Sequence, residues 1–293
     1  MMKSQKSTEH EQTSCLYLVA TPIGNLEDMT MRAIRILKEV DIIAAEDTRN
    51  TKKLCNYFEI TTPLMSYHDH NQQTGGEKIL DLLKQGKRIA LVSDAGLPCI
   101  SDPGADIAAK AVDEGFGVIP IPGANAALSA LIASGLSTQP FFFYGFLSRN
   151  KKERKEEITQ LQKRQESIIL YESPHRIKDS LKDMQAIMDG DRQIVLAREL
   201  TKKFEEFIRG TIDEVVSWVE QNEIRGEFCI VLNGNDKEQI DELEVSWWDK
   251  LSIEEHVNII IEEKQCTTKE AIKEVAIQRG LPKREVYQNY HVD

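Results

Sequence analysis

The 293-residue sequence predicts an α/β protein of two sheet-bearing domains followed by a small C-terminal helical module. Three observations carry this expectation. Short, nearly all-apolar runs alternate with helical patterns through residues 15–121. Apolar runs crowd closer together through residues 122–234. From residue 235 the chain turns acidic and then helical. Strands buried on both faces need no polar alternation, so the first region reads as a parallel sheet covered on each side by helices. The second, with its strands in adjacent runs, reads as a mixed sheet.

The elements follow in order. LYLVA at 16–20 is a buried strand, and residues 31–40 form a helix capped by Asp28 or Thr30. DIIAA at 41–45 and RIALV at 88–92 are further strands, with LMSY at 64–67 and a helical stretch at 77–85 between them. A helix at 103–114 and the strand VIPI at 118–121 complete the first domain. The Pro122-Gly123 pair punctuates the chain, and an Ala- and Leu-rich helix runs to residue 134. FFFYGFL at 141–147 opens the second domain. Its strands continue at 167–172, 193–199, 204–210 and 227–234, with helices at 174–188 and 212–221. Residues 267–291 read as two helices joined at Gly280-Leu281-Pro282. Thr268 is their N-cap, and Ala271, Ile272, Val275 and Ala276 share one face. That helix-turn-helix pattern suits nucleic-acid binding or a packing and dimerisation role.

Composition narrows the class. With 41% hydrophobic and 29% charged residues the chain supports a globular core rather than disorder. No apolar stretch approaches the roughly 20 residues that span a bilayer. Residues 1–14 are polar, lack the apolar centre of a signal peptide and read as a flexible tail. The five cysteines are scattered and form no C-x-x-C pair. A reducing, cytoplasmic setting without disulfides, structural zinc or any other metal is expected. The net charge of −11 opposes nucleic-acid binding, which relies on Lys and Arg. Residues 236–293, however, hold 14 Asp/Glu against 8 Lys/Arg, a net of −6, which leaves −5 for the rest. Within that rest, Arg149, Lys151, Lys152, Arg154 and Lys155 form a compact basic run, either an RNA-docking patch or a solvated helix face.

Three loops hold the chemistry. ATPIGNLED follows the first strand; Pro22 and Gly24 let a ligand approach its backbone. It is neither G-x-G-x-x-G nor a Walker loop, so dinucleotide and nucleoside triphosphate readings lose their usual support. AAEDTR places Glu46, Asp47 and Arg49 at the carboxyl end of a strand, where open α/β sheets bind ligands. Alternatively, Asp47 caps a helix there and pairs with Arg49. VSDAGLPCISDPG at 92–104 packs two Ser-Asp pairs, two Gly and two Pro into thirteen residues. Such a loop presents backbone groups to a ligand, and Asp94 offers a carboxylate to an amine or sugar hydroxyl.

In order, the chain reads ATPIGNLED, AEDTR, HDHN, SDAGLPCISDPG, IPGANAA, GFL, YESPHR and ARELTKKFEE. This series resembles the tetrapyrrole methylase superfamily, the class III methyltransferases. Within it, the chain is most similar to the branch that 2′-O-methylates a cytidine ribose in the decoding region of small-subunit ribosomal RNA. The resemblance runs from about residue 16 to 234, and the helical tail is similar to that branch's C-terminal module. Leu97, Cys99, Ala124-Asn125, Asp69 and Ser148 depart from the usual pattern, without replacing any residue given a chemical role below. The resemblance implies two α/β domains of the tetrapyrrole methylase type around a cleft that holds folded S-adenosyl-L-methionine. It places the cofactor against Pro22, the Ser93-Asp94-Ala95 segment, Ile100, Asn125, Ala126 and Tyr171. It further implies 16S ribosomal RNA, or the small subunit, as partner, and a homodimer.

Methyl transfer to a ribose hydroxyl needs positioning and an acceptor for the hydroxyl proton. The candidates are Glu46 and Asp47, then Glu172, His175 and Glu199. Arg49, Arg176, Arg198 and Lys202, with Arg149, Lys151 and Lys152, are candidates to grip phosphates. His68 and His70 are structural or catalytic. Tyr67, Phe146, Tyr171 and Phe204 are aromatic candidates for base stacking or for the core. Competing readings are a class III methyltransferase acting on a small molecule or protein side chain, and a non-catalytic RNA-binding or assembly protein.

Overall fold

In a computed structural model, residues 4–6, 13–235, 248 and 251–291 are described. Most of the expected tail at 1–14 and the acidic linker after residue 235 lie outside them. The chain divides into two compact units, Met1–Asp236 and Lys237–Asp293.

The first unit holds two five-stranded sheets. Sheet one is built from β1 (Cys15–Val19), α1 (Met31–Glu39), β2 (Ile42–Ala45), α2 (Thr48–Tyr57), β3 (Leu64–Ser66), α3 (Gln72–Lys84), β4 (Ile89–Val92), α4 (Ala105–Asp113) and β5 (Gly117–Ile121). Its strand order is β3-β2-β4-β1-β5, and every pairing is parallel. Alternation along β1 explains the two layers. Cys15, Tyr17 and Val19 pack with Ile36 and Leu37 of α1 and Cys55 of α2; Leu16 packs with Ile79 and Leu83 of α3 and Ile107 of α4. Burial of each such Leu or Ile contributes about 1.5–3 kcal/mol.

Sheet two follows α5 (Ala126–Ser134). It comprises β6 (Phe141–Phe146), α6 (Lys151–Leu161), β7 (Ser167–Glu172), α7 (Ile177–Ile187), β8 (Gln193–Arg198), β9 (Glu206–Thr211), α8 (Ile212–Gln221) and β10 (Phe228–Leu232). The order is β6-β7-β10-β8-β9; only β6 and β7 run parallel, so the sheet is mixed as expected. One face packs Ile168, Leu170, Leu196 and Ile230 against α6, α7 and α8. The other packs Ile169, Val195, Cys229 and Val231 against α5 alone. One helix cannot cover five strands, so the strand ends near Tyr171, Ala197 and Phe228 stay open to a cavity.

The second unit contains α9 (Ile253–Lys264), α10 (Thr268–Gln278) and α11 (Lys283–His291) around Val257, Ile260, Ala271, Ile272, Val275, Ala276 and Val286.

Local chemistry moves several boundaries. Thr30, not Asp28, caps α1, its hydroxyl accepting from Ala33 N–H at 3.1 Å. Thr267 rather than Thr268 caps α10, because Glu270, three residues on, returns the bond to the Thr267 N–H. Helix α3 starts at Gln72, five residues early, through a Gly75-Gly76 pair that hides it in the sequence. A Cβ at Gly75 would stand 3.1 Å from the Tyr67 ring. Tyr67 is thereby a core residue, 1% exposed, not a stacking platform. Asp47 does cap α2, its carboxylate accepting from Arg49 N–H at 2.8 Å. β9 starts only at Glu206, because Thr201–Phe204 form a turn.

Arg154 leaves the basic run altogether. It points inward from α6, 6% exposed, with its Nε 2.8 Å from Oδ2 of the equally buried Asp183 of α7. A buried pair is costly to half-remove, and here the surviving Asp183 would keep only the longer contact to the half-exposed Lys155, 3.6 Å from its Oδ1. Arg154→Ala is therefore expected to lower unfolding stability by about 3 kcal/mol in urea titration, and adding Asp183→Ala to restore part of the loss.

Candidate active site

The loops leaving the carboxyl ends of β1 and β4 are tied together. Thr21 N–H donates to Gly96 O at 2.8 Å, Gly96 N–H returns a bond to Thr21 O at 3.0 Å, and the Thr21 hydroxyl reaches Ser93 O at 3.1 Å. The β4 loop then winds through positive φ at Gly96 (80°), Cys99 (72°), Ser101 (59°) and Gly104 (130°). Positive φ costs Cys99 and Ser101 energy that glycine avoids, so packing must hold them there. The winding turns Ala95, Gly96, Leu97, Ile100, Ser101 and Asp102 toward one cavity of about 360 Å³.

The opposite wall comes from sheet two: Phe146 of β6, Tyr171 and Glu172 of β7, Ala197 of β8, and Phe228 and Cys229 of β10. Asn125 and Ala126 close one side. Asn125 caps α5 through its side chain, which accepts from Leu128 N–H at 2.9 Å, and the Tyr171 hydroxyl accepts from Ala127 N–H at 3.1 Å. Phe146 stands edge-on to Tyr171 with ring centres 5.6 Å apart. The β8–β9 loop adds Glu199, Leu200 and Lys202 to the lining. There Lys202 Nζ lies 2.9 Å from both Glu199 and Glu227, and its stem packs on Gly24 of the β1 loop. With φ at 148°, Gly24 leaves room for that stem; a Cβ would collide with it.

Carboxylates cluster behind the β4 loop; of Glu46, Asp47, Asp69, Asp94 and Asp102, only Asp102 lines the cavity. Asp102 is pushed up to about 7 by burial first, then by the charges of Glu46, Asp94 and Asp69, against a hydrogen bond from Ser93. Burial, with Asp94 and Asp69, also raises Glu46, while Asp94 N–H opposes it by donating to Glu46 Oε2 at 3.3 Å. Asp94 spends its carboxylate on the start of α2: its two oxygens accept from Asp47 N–H at 3.2 Å and from the Asn50 amide at 3.0 Å. Asp47 in turn is held down to about 2 by the hydrogen bonds of Arg49. Asp102, the member of this cluster that lines the cavity, attracts a cation that approaches from it.

A family model described as Tetrapyrrole (Corrin/Porphyrin) Methylases matches residues 15–216. The chain belongs to the tetrapyrrole methylase family. Among this methylase's relatives, the ribosomal RNA small subunit methyltransferase I of Bacillus subtilis (strain 168) is 62% identical over 94% of both chains. The protein of the same name from Halalkalibacterium halodurans is 54% identical over 99% of both. The fold matches uroporphyrin-III C-methyl transferase from Thermus thermophilus, solved with S-adenyl homocysteine. The TM-score is 0.54 at 17% identity, over 75% of the methylase and 97% of that chain.

Of the cofactor residues expected from sequence, Ala95, Ile100, Asn125, Ala126 and Tyr171 line the cavity, while Pro22, Ser93 and Asp94 do not. Ile23 takes the place beside Pro22, and Asp102 takes that of Asp94. Glu172 and Glu199 are in the wall but engaged. Glu172 accepts from the Ser180 hydroxyl at 2.6 Å and from Ser173 N–H at 2.9 Å. Glu199 accepts from Lys202 and from Glu227 N–H at 3.0 Å. His175 is exposed and outside the lining. Arg176 donates to Leu147 O and Ser148 O, and Arg198 to Arg225 O, so these guanidinium groups brace loops. Arg49 is 86% exposed beside Asp47. Sequence reading passed over Asp102, although the second Ser-Asp of the SDAG…SDPG loop was its signal. Among the described residues no group of three or more His, Cys, Asp or Glu is arranged to hold a metal.

The raised Asp102 has a direct consequence. Its folded pKa lies above that of the unfolded chain, so the neutral carboxyl favours folding at low pH. That contribution is lost as pH rises from about 4 toward 7. Unfolding free energies measured across this window, without added ligand, are expected to fall more steeply for wild type than for Asp102→Asn. Parallel curves would remove Asp102 as the titrating group.

Proposed function

We propose that this methylase is an S-adenosyl-L-methionine-dependent enzyme that 2′-O-methylates a cytidine ribose in the decoding region of 16S ribosomal RNA. The observation that carries the reading is the cavity between the β4 loop and sheet two, with the Asp102 carboxyl in its lining and pushed up to about 7, first by burial and then by neighbouring carboxylates. The names of the full-length relatives support the RNA substrate.

The residues fit the cofactor. Ile23, Leu97, Ile100, Phe146 and Leu200 offer apolar contact for an adenosyl group, and about 360 Å³ falls in the range of small-ligand sites. Asp102 faces where a sulfonium or ammonium charge would be neutralised. When bound, the cofactor supplies an already activated methyl group, so the protein's task is largely positioning. Glu46, partly buried and with its carboxyl raised, is the group to take the hydroxyl proton; its Oε2 is fixed by Asp94 N–H. Asp47 is less suited, because Arg49 already occupies both its oxygens.

The exposed Arg149, Lys151 and Lys152 follow directly on the cavity strand β6 and form the phosphate grip, without the buried Arg154. Lys202 closes the cavity mouth against Glu199 and Glu227 and opens for the incoming nucleotide. A second copy of the chain covers Leu128 and Ile132, which stand one turn apart on α5 at 47% and 75% exposure. No described helix is long and apolar enough to cross a membrane. The substrate places the enzyme in the cytoplasm.

Mass mapping of 16S ribosomal RNA from cells with and without this protein tests the substrate: one ribose methyl in the decoding region should disappear with the gene. An unchanged map rejects the RNA reading. Glu46→Gln is expected to slow single-turnover methylation by about 100-fold while calorimetric affinity for S-adenosyl-L-methionine stays within about twofold. Full activity would reject Glu46 as proton acceptor.

A further inference from the structure

The cavity lining includes no residue of the C-terminal unit, whose surface charge is lopsided. Helix α9 carries Glu254, Glu255, Glu262 and Glu263 against Lys264, and Lys264 is paired with Glu274. Helix α11 carries Lys283 and Arg284 against Glu285 alone.

The inner side of α11 is accounted for. Val286 is fully buried in the three-helix core, and the Tyr290 hydroxyl donates to Asn258 Oδ1 at 2.9 Å. The outer side is not. Lys283, Tyr287 and His291 are exposed four residues apart, with Arg284 beside them. Tyr287 is 55% exposed, its ring centre 4.4 Å from that of His291. Among the described residues, neither Lys283 nor Arg284 has an ion pair or hydrogen bond. Arg279 shows the contrast: its guanidinium is consumed by the carbonyls of Trp248, Leu251 and Ser252.

The connection between α10 and α11 is four residues long and turns at Gly280, with φ at 63°. A short Gly-containing turn of this kind joins the helices of helix-turn-helix modules, whose second helix contacts nucleic acid. Unpaired cations flanking an exposed aromatic ring match phosphates flanking an unstacked base. In a chain of net charge −11, such a face is a local exception to the prevailing repulsion of phosphate.

We infer that the outer face of α11 is an RNA-docking surface, with Lys283 and Arg284 on backbone phosphates and Tyr287 stacked on an unpaired base. This rests on the ribosomal RNA reading and adds a second contact, remote in sequence from the methyl-transfer cavity.

Full-length protein and a labelled 16S fragment spanning the decoding region, followed by fluorescence anisotropy at several salt concentrations, test it. Lys283→Ala with Arg284→Ala should weaken binding about tenfold near 0.1 M salt and flatten the log–log salt slope by about 1.4–1.8. Tyr287→Ala should weaken binding without changing the slope. Lys283→Arg with Arg284→Lys should retain it. All three positions are exposed, so unfolding midpoints should not move. Wild-type affinity and slope in the double alanine variant overturn the surface. Wild-type methylation of the same fragment separates the two ideas. Docking lost in the variant without any methylation by wild type upholds the surface and sinks the enzymatic reading. Methylation by wild type with undiminished docking in the variant does the reverse.

Discussion

Asp102 is held partly out of water beside Glu46, Asp94 and Asp69, and that mutual repulsion is sustained by the winding of the loop that carries it. Left to itself, a chain would relieve such crowding by swinging one carboxylate into solvent. Here the four positive φ angles between Gly96 and Gly104, and the two backbone bonds between Thr21 and Gly96, deny it that freedom. The strain is met by the parallel sheet beneath: β1, β2 and β4 are buried on both faces, and their register fixes where each loop begins. An electrostatic state unfavourable alone is thus maintained by hydrophobic packing several residues away.

The charged groups divide by what they already hold. Arg154 with Asp183, Glu172 with Ser180, and the Arg176 Nη2 with the Leu147 and Ser148 carbonyls are contacts already made inside the protein. They stabilise sheet two and its helices, and are poorly placed for chemistry because any ligand would have to break them. No cation stands among the causes that shift Asp102, and Glu46 has only His68 to set against Asp94 and Asp69. The contrast separates framework from site better than exposure does, since Glu172 and Asp102 line the same cavity.

Much of the fold was legible in the residue pattern, because strands buried on both faces leave all-apolar runs that no helix face imitates. The mixed character of sheet two followed from the spacing of its strands. What escaped was three-dimensional. Helix α3 was shortened because Gly75 and Gly76 look like a break until Tyr67 is seen lying against them. Arg154 looked like part of a basic patch because one residue in a charged helix carries no sign of the buried Asp183 that meets it 29 positions later. At the site, Asp94 and Asp102 are alike on paper, each following a serine. Only the folded loop shows the first turned to the start of α2 and the second to the cavity. More of the residues expected on backbone-rich loops reach the cavity lining than of the ionic candidates, since a loop's position survives local rearrangement and a charge's partner does not.

Sheet one ends at β5, a parallel edge strand of the kind that recruits other chains. Gln5 addresses this. Its side-chain amide donates to Val118 O at 2.9 Å and accepts from Val118 N–H at 3.0 Å, mimicking one rung of a strand that is not there. A primary amide is a peptide group in miniature, so it saturates the rung without extending the ladder. Val118, the second residue of β5, is blunted against templating by a second molecule, and Pro120 two residues on offers no N–H, so a glutamine from outside the sheet and a proline within it together guard the edge.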